Sequence, residues 1–202
     1  MAEAKEKKIG EVDLKNVRLS FEHLFTPSAS AKDGPLKYRG SFLMDPATPE
    51  GKRNISLCEK AIKEVEQETF KRTGVQYKPD RCAFKDGNTC VSERTGEVYD
   101  GYADMMVVSA NNAKRVPVVD RNPSIALAAD DGRPYSGCFV NALIRFYGVK
   151  GADKGGLGMF ASLEAVQFVR DGEAFGAAPV DAEAVFENVE GDEDGFQDDD
   201  IG

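Results

Sequence analysis

The sequence predicts a mainly β fold with one long helix, an α+β arrangement, and three observations carry that prediction. Alternation of apolar and polar residues with period two recurs along the chain, most extensively in residues 135–150 and again in residues 157–170 after a glycine-rich turn. One segment, residues 52–72, instead spaces its apolar residues by three and four. The stretches between are rich in Gly, Pro, Asn and Asp, which punctuate short strands and loops.

Taken in order, the first ten residues are charged and read as a frayed end. In residues 17–22, Val17, Leu19 and Phe21 alternate with Arg18, Ser20 and Glu22, the pattern of a half-buried strand. The apolar phase slips between Leu14 and Val17, so an irregularity is expected near Asn16. Residues 26–35 break regular structure by composition and form a loop. The next strand, residues 37–44, places Tyr38, Phe42 and Met44 on one face and Lys37, Arg39 and Ser41 on the other, and Asp45-Pro46 ends it.

Ile55, Cys58, Ile62, Val65 and Thr69 form the apolar stripe of the helix, with Glu59, Lys60, Lys63, Glu64, Glu66 and Lys71 on a solvated face and Gly74 as its stop. Residues 75–101 are crowded with turn signals and predict short irregular strands or loops. Residues 105–110 read as a strand, followed by an amide-bearing, basic excursion that carries Lys114, Arg115 and Arg121. Asp130, Asp131, Gly132 and Arg133 lead back to the longest alternating stretch. There Cys138, Val140, Ala142, Ile144 and Phe146 share a face suited to a core. The other face holds Tyr135, Phe139, Asn141, Leu143, Arg145 and Tyr147, aromatic rings mixed with an amide and a guanidinium. Such a face either packs into a second layer, the reading favoured for Phe139 and Leu143, or stacks on bases and neutralises phosphates. For Arg145 with Tyr147 both readings stay open. Gly148, Gly151, Gly155, Gly156 and Gly158, interleaved with Lys150 and Lys154, predict a long, flexible, basic hairpin loop.

Charge is unevenly distributed along the 202 residues. The net formal charge is −9, yet ten acids and no Lys or Arg follow residue 180, so the preceding body carries about +1. The division expected is a frayed end at 1–10, one domain at 11–175 and a disordered acidic tail at 176–202. That tail ends Phe196-Gln-Asp198-Asp199-Asp200-Ile201-Gly202, which sets an aromatic and an aliphatic anchor in an acidic run and suits a partner's pocket.

The composition also narrows the function classes. With 41% hydrophobic residues the chain can build a core, while no apolar run reaches membrane length and the first residues lack a secretory apolar region, so a cytoplasmic, membrane-free protein is expected. Cys58, Cys82, Cys90 and Cys138 are widely spaced and accompanied by a single histidine, His23, which predicts free thiols rather than a zinc site. No serine-hydrolase elbow, zinc-protease or phosphate-loop motif occurs, and no cofactor is expected. Asp104, Asp120 and Asp130 share no metal-ligand spacing and read as turn residues.

The residues also carry a resemblance. Val17-Arg-Leu-Ser-Phe-Glu-His-Leu-Phe25, Tyr38 with Phe42, residues 110–121, Tyr135-Ser-Gly-Cys138, Arg145-Phe-Tyr147 and residues 163–172 together resemble a family of tailed-phage single-stranded DNA-binding proteins with an OB-type barrel, formerly catalogued as a domain of unknown function. The resemblance covers residues 10–172. It implies a five-stranded OB-fold barrel with the helix outside it and long loops, and no enzymatic activity. It also implies sequence-independent binding of single strands, using stacked aromatics and backbone-tracking cations, during phage DNA replication or recombination. The candidates are Tyr38, Arg39, Lys114, Arg115, Arg121, Arg133, Tyr135, Arg145, Tyr147, Lys150 and Lys154. The ending is similar to the tails of bacterial single-stranded DNA-binding proteins, which recruit replication proteins, except that Gly202 stands where Pro-Phe would follow Ile201. A homodimer is compatible with this reading. Two other classes remain open from residues alone: a viral protein-interaction or DNA-mimic module, and a nuclease using carboxylate-bound metal.

Overall fold

The computed structural model describes residues 7–29 and 33–176. Its first strand, β1 (Glu11–Ser28), is far longer than the alternation in residues 17–22 indicates, and it bends twice. Asn16 (φ 50°) and Phe21 (φ 47°) both adopt the left-handed region that side chains rarely occupy, and each coincides with a shift in strand register. The irregularity expected near Asn16 is therefore a β-bulge. A helical side chain repairs it: the Asn54 amide accepts from the Lys15 backbone N–H (3.2 Å) and donates to the Lys15 carbonyl (2.8 Å), satisfying backbone groups that the bulge takes off the ladder.

The second bulge corrects the reading of Phe21. Val17 and Leu19 point into the core as their spacing predicts, but the turn at Phe21 reverses the phase, so Ser20 and Leu24 are buried while Phe21 is 46% exposed. A period-two pattern continues only while every residue stays extended.

The remaining strands are β2 (Lys37–Met44), β3 (Phe84–Asp86), β4 (Met106–Asn112), β5 (Val118–Val119), β6 (Phe139–Val149) and β7 (Gly158–Arg170). They run in the order β3-β4-β2-β1-β6-β7-β5. The first half of β1 pairs with β6 and its second half with β2, which is how one bent strand serves two neighbours. A parallel pairing of Asn111 on β4 with Ser162 on β7 closes the circuit, and the Asn112 amide reinforces it by donating to the Leu163 carbonyl (2.9 Å). Strands β1, β2, β4, β7 and β6 thus form a closed five-stranded barrel of OB type, with β3 and β5 as additions.

Inward-facing side chains fill the barrel. Phe42, Phe146 and Phe168 are its largest members, each at most 1% exposed, and full burial of such a side chain contributes about 1.5–3 kcal/mol. In β6 the alternation holds throughout: Val140, Ala142, Ile144 and Phe146 are buried, Phe139 and Leu143 half-buried, and Arg145 and Tyr147 exposed.

Helix α1 (Pro49–Phe70) begins three residues earlier than its apolar spacing suggests, because Thr48 caps it by accepting from the Gly51 N–H (3.0 Å) and Pro49 fits the first turn. Its inner face is Asn54, Cys58, Ala61 and Val65, while Ile55 and Ile62 are only half-buried. It packs outside the barrel against β6, β1 and β2. Gly148 admits this contact, since a Cβ there would lie 2.9–3.0 Å from Thr69 and Phe70. Glu66 departs from the solvated face expected for it. Its carboxylate is buried and accepts from the Gly74 N–H (2.7 Å), the Val75 N–H (3.2 Å) and the Tyr77 hydroxyl (2.9 Å), which folds the chain back after Lys71 ends the helix in a left-handed turn.

The turn-rich stretch after the helix holds β3 and several single turns, and it builds a second, smaller apolar cluster on the outside of the barrel. Tyr102 packs there on Leu43 and Val107, the outward residues of β2 and β4, and Phe175 of the returning chain joins it. This excursion forms one wall of the groove described next.

Candidate nucleic-acid interface

The outer faces of β2 and β4 carry polar side chains at register-paired positions, Arg39 opposite Asn111 and Ser41 opposite Ser109, the two hydroxyls being 2.9 Å apart. On one side the second bulge of β1 lifts Phe21 and His23 above this floor. Residues 89–91 stand on the other, and the Tyr99–Tyr102 turn closes the groove against Phe21. The groove so formed encloses about 600 Å³.

Three rings converge at its wall. Phe21 meets Tyr99 edge-on (centroids 4.8 Å apart, planes at 76°), and both contact Tyr102 (6.0 and 5.7 Å). Tyr102 is buried, and that burial raises its phenol pKa, so it is the foundation on which the more exposed pair rests.

Arg39 and Lys85 supply positive charge, and among the described residues no Asp or Glu lines the groove. The Arg39 guanidinium donates to the Ser28 hydroxyl (2.8 Å), which fixes its direction, while its Nε–H is buried with no acceptor among the described residues. Cys90 lies in the same wall, half-buried, its thiol pKa raised chiefly by burial.

The residues expected from sequence to form one surface are spread over several. Arg39 lines the groove, whereas Tyr38 follows the inward phase of Phe42 at the end of β2 and does not share its face. Lys114 and Arg115 are exposed just beyond β4, with the Arg115 guanidinium 5.9 Å from the Phe25 ring. Arg121 and Arg133 both stack on buried Phe168, at 5.5 and 5.4 Å. Arg133 also pairs with Asp120 (2.9 Å), whose carboxyl pKa is lowered by the Arg121 backbone N–H and the Arg133 guanidinium. Tyr135 is committed to the fold. Its hydroxyl donates to the Gly172 carbonyl (3.0 Å) or the Asp171 carboxylate (3.1 Å) and accepts from the Gly172 N–H, so the orientation of its ring is set by the returning chain.

Arg145 and Tyr147 lie together on the outer face of β6, where Tyr147 pairs across the hairpin with Phe160 (centroids 6.0 Å) and Arg145 faces Glu164 (3.8 Å). Lys150 donates to the Thr69 carbonyl at the end of α1 (3.1 Å). The hairpin turn is braced rather than free: Arg81 donates to the carbonyls of Lys154 (2.7 Å) and Gly156 (3.3 Å). The tail candidates Phe196, Asp198, Asp199, Asp200 and Ile201 lie outside the described residues.

Sequence reasoning missed Phe21, Tyr99 and Lys85. Tyr99 and Tyr102 bracket an Asp-Gly turn in an otherwise polar stretch, and aromatic rings in such a stretch are a signal of surface function that was legible. Phe21 could not be found that way, because its exposure depends on a backbone torsion.

Comparison with known proteins gives a consistent result. The family model described as Enterobacter phage Enc34, ssDNA-binding protein, matches residues 10–197. Protein p50 of Acyrthosiphon pisum secondary endosymbiont phage 1 is 38% identical over 180 residues, which span 89% of this chain and 94% of that protein. The solved structure of the single-stranded DNA-binding protein from bacteriophage Enc34 in complex with ssDNA superposes with a TM-score of 0.66 at 25% identity, covering 84% of this chain and 91% of that one. A further structure of the same Enc34 protein gives 0.64 at 26% identity, with 89% and 92% covered.

Proposed function

This chain belongs to the phage family represented by the Enc34 single-stranded DNA-binding protein, and on that premise we propose that it binds single-stranded DNA in the groove over β2 and β4. The observation that carries the proposal is the groove itself, which joins the exposed Phe21 ring and its half-buried partner Tyr99 to Arg39 and Lys85 and is lined by no carboxylate among the described residues. Bases stack on the rings, and phosphates meet the Arg39 guanidinium and the Lys85 ammonium. Lys114 and Arg115 follow directly beyond the Arg39–Asn111 pair and extend the cationic track. Because rings see only the π-face of a base, oligonucleotides of equal length and different sequence should bind within about a factor of ten of one another.

The protein acts without catalysis, coating and organising single strands in the host cytoplasm during phage DNA replication or recombination. The acidic tail both competes with DNA and recruits replication proteins. Its point of departure supports the competitor role. The Gly176 N–H donates to Asp100 (3.1 Å), and Phe175 lies against Gly101, so the chain leaves from beside the Tyr99–Tyr102 wall. Asp181 is five residues further on, a reach of at most about 18 Å.

A gel-shift with single-stranded oligonucleotides, run with and without magnesium, tests the whole reading. A shift without cleavage supports it, cleavage that needs magnesium points to a nuclease, and no shift at low salt leaves a protein-interaction module.

A further inference from the structure

The groove over β2 and β4 opens sideways onto a continuous polar row that strand register carries around the barrel. Arg39 of β2 pairs with Asn111 of β4, Asn111 with Ser162 of β7, and Ser162 with Arg145 of β6. Adjacent strands lie 4.7–4.9 Å apart, so the path over the curved surface from the Arg39 backbone to that of Arg145 covers roughly 14 Å in three steps. Asn111 and Ser162 are short, and no tall side chain of the row separates the two arginines.

A second link runs beside the first. Residues 81–85 bridge β4 and β7, with the Ala83 N–H donating to Met159 (2.7 Å) and the Ser109 N–H donating to Ala83 (3.0 Å). At one end of this bridge Lys85 lines the groove. At the other the Arg81 guanidinium lies 4.9 Å from the Phe160 ring. Two residues along from the Arg145–Ser162 pair stands another ring pair of the barrel's outer face, Tyr147 on Phe160, with Tyr147 40% exposed and Phe160 half-buried.

We propose that Tyr147 and Phe160, flanked by Arg81 and Arg145, form a second stacking station for the same DNA strand, which crosses from the groove along the Arg39–Asn111–Ser162–Arg145 row. This rests on the groove reading above and extends it. Continuity with the groove and charge fix the occupant: cations mark both links, and an exposed ring stands at the far end. The Phe160 face already holds Arg81, so the base stacks on Tyr147, and phosphates on either side meet Arg81 and Arg145. Two groups oppose this. The Arg81 guanidinium already donates to the Lys154 (2.7 Å) and Gly156 (3.3 Å) carbonyls, so a phosphate shares it with the hairpin turn. Glu164 accepts from the Ser162 hydroxyl (2.7 Å) and holds Arg145 at 3.8 Å, so a phosphate must displace it.

A length series separates the two stations. Anisotropy titrations with labelled oligothymidylates from about four to sixteen nucleotides, the range of site sizes on a single OB fold, should show wild-type affinity rising to a plateau. For the full-length Tyr147→Ala variant the rise should stop at a shorter length, with about a tenfold loss for the longest oligonucleotides. Tyr147→Phe, which keeps the ring, should retain the wild-type plateau, and Glu164→Gln should raise affinity for long oligonucleotides only. If Tyr147→Ala follows the wild-type curve while Phe21→Ala weakens binding at every length, the second station is wrong and the groove stands. If Phe21→Ala binds like wild type at every length, the groove reading fails and takes the second station with it.

Discussion

Phe21 stands edge-on to Tyr99 at 4.8 Å while its own backbone lies in the left-handed region, φ 47°. A non-glycine residue held there costs about 1–3 kcal/mol, and the aromatic contacts it gains return about 0.5–1.5 kcal/mol. Phe21→Gly removes both and should leave thermal stability within about 1 kcal/mol of wild type, whereas single-strand affinity should fall by about 1–3 kcal/mol. Thermal melts paired with anisotropy titrations measure the two separately. A large loss of stability would mean that the ring serves the fold and not the ligand.

The contrast between Phe21 and Val140 explains how much of this molecule its sequence discloses. Val140 and its partners alternate through an unbroken extended run, so burial follows from parity; β2 and the core of β4 were readable in the same way, the bulge at Asn16 from the slip in that parity, and the helix from its spacing of three and four. Phe21 has the same parity as Val17 and Leu19 but follows a torsion that no spacing reveals. Tyr135 and Arg133 show a second limit of the sequence, the contacts that a side chain makes within the fold. Residue type marks them as suited to DNA, yet Asp171, Gly172, Asp120 and Phe168, all distant in sequence from one or both, had already engaged them. Glu66 was assigned to solvent on helical spacing alone, and its three donors come from the chain that turns back beyond the helix.

Tyr135→Phe should therefore act on stability. Loss of the hydroxyl removes its bonds with Gly172 and Asp171 and should cost about 1 kcal/mol, more if the Gly172 N–H stays unpaired, with single-strand affinity unchanged. Denaturant melts beside binding titrations decide it, and a loss of affinity at constant stability would return Tyr135 to the interface.

Salt dependence isolates the phosphate contacts. Each phosphate neutralised on a single strand adds about 0.7 to the slope of log affinity against log salt. Arg39→Ala and Lys85→Ala should each lower that slope by roughly this amount, and Arg121→Ala, whose guanidinium lies on Phe168 and donates to the Val169 carbonyl (2.9 Å), should not. Wild-type slopes for both Arg39→Ala and Lys85→Ala would exclude the groove as the site of phosphate contact.

The cysteines report occupancy of the groove. Burial pushes the Cys58 thiol up to about 12 and that of Cys138 to about 11, and both are inaccessible. Cys82 and Cys90 are half-buried with thiols raised in the same direction, so each carries less thiolate at neutral pH than an open cysteine and should be alkylated faster as pH rises. In the folded protein iodoacetamide should modify Cys82 and Cys90 ahead of Cys58 and Cys138, and a saturating oligonucleotide should slow Cys90, which lines the groove. Peptide mapping by mass spectrometry reads each site. Unchanged labelling of Cys90 on DNA binding would show that the strand runs elsewhere.

The tail has to be weighed against the body that carries it. Ten acids follow residue 180, attached to a body near +1, and the last described residue is tied to Asp100 beside the aromatic wall of the groove. On the competitor reading proposed above, carboxylates tethered there would occupy the cations that phosphates need, at an effective concentration set by a linker of a few residues. Deleting residues 181–202 should raise single-strand affinity and slow dissociation at low salt. The gain should shrink as salt rises, because the competition is electrostatic and is screened over about 10 Å at 0.1 M. Thermal stability should hardly move, since a segment this polar contributes little apolar burial, and Phe175 and Gly176, which do pack on the body, stay in place. Phe196→Ser with Ile201→Ser keeps every charge while removing the apolar anchors, so it should bind DNA as wild type does and lose the capture of replication proteins. Titrations of the three proteins across a salt series, each paired with a pull-down, separate the two roles. If the truncated protein and the full chain bind single strands equally at low salt, the tail is no competitor, and its acids serve partners alone.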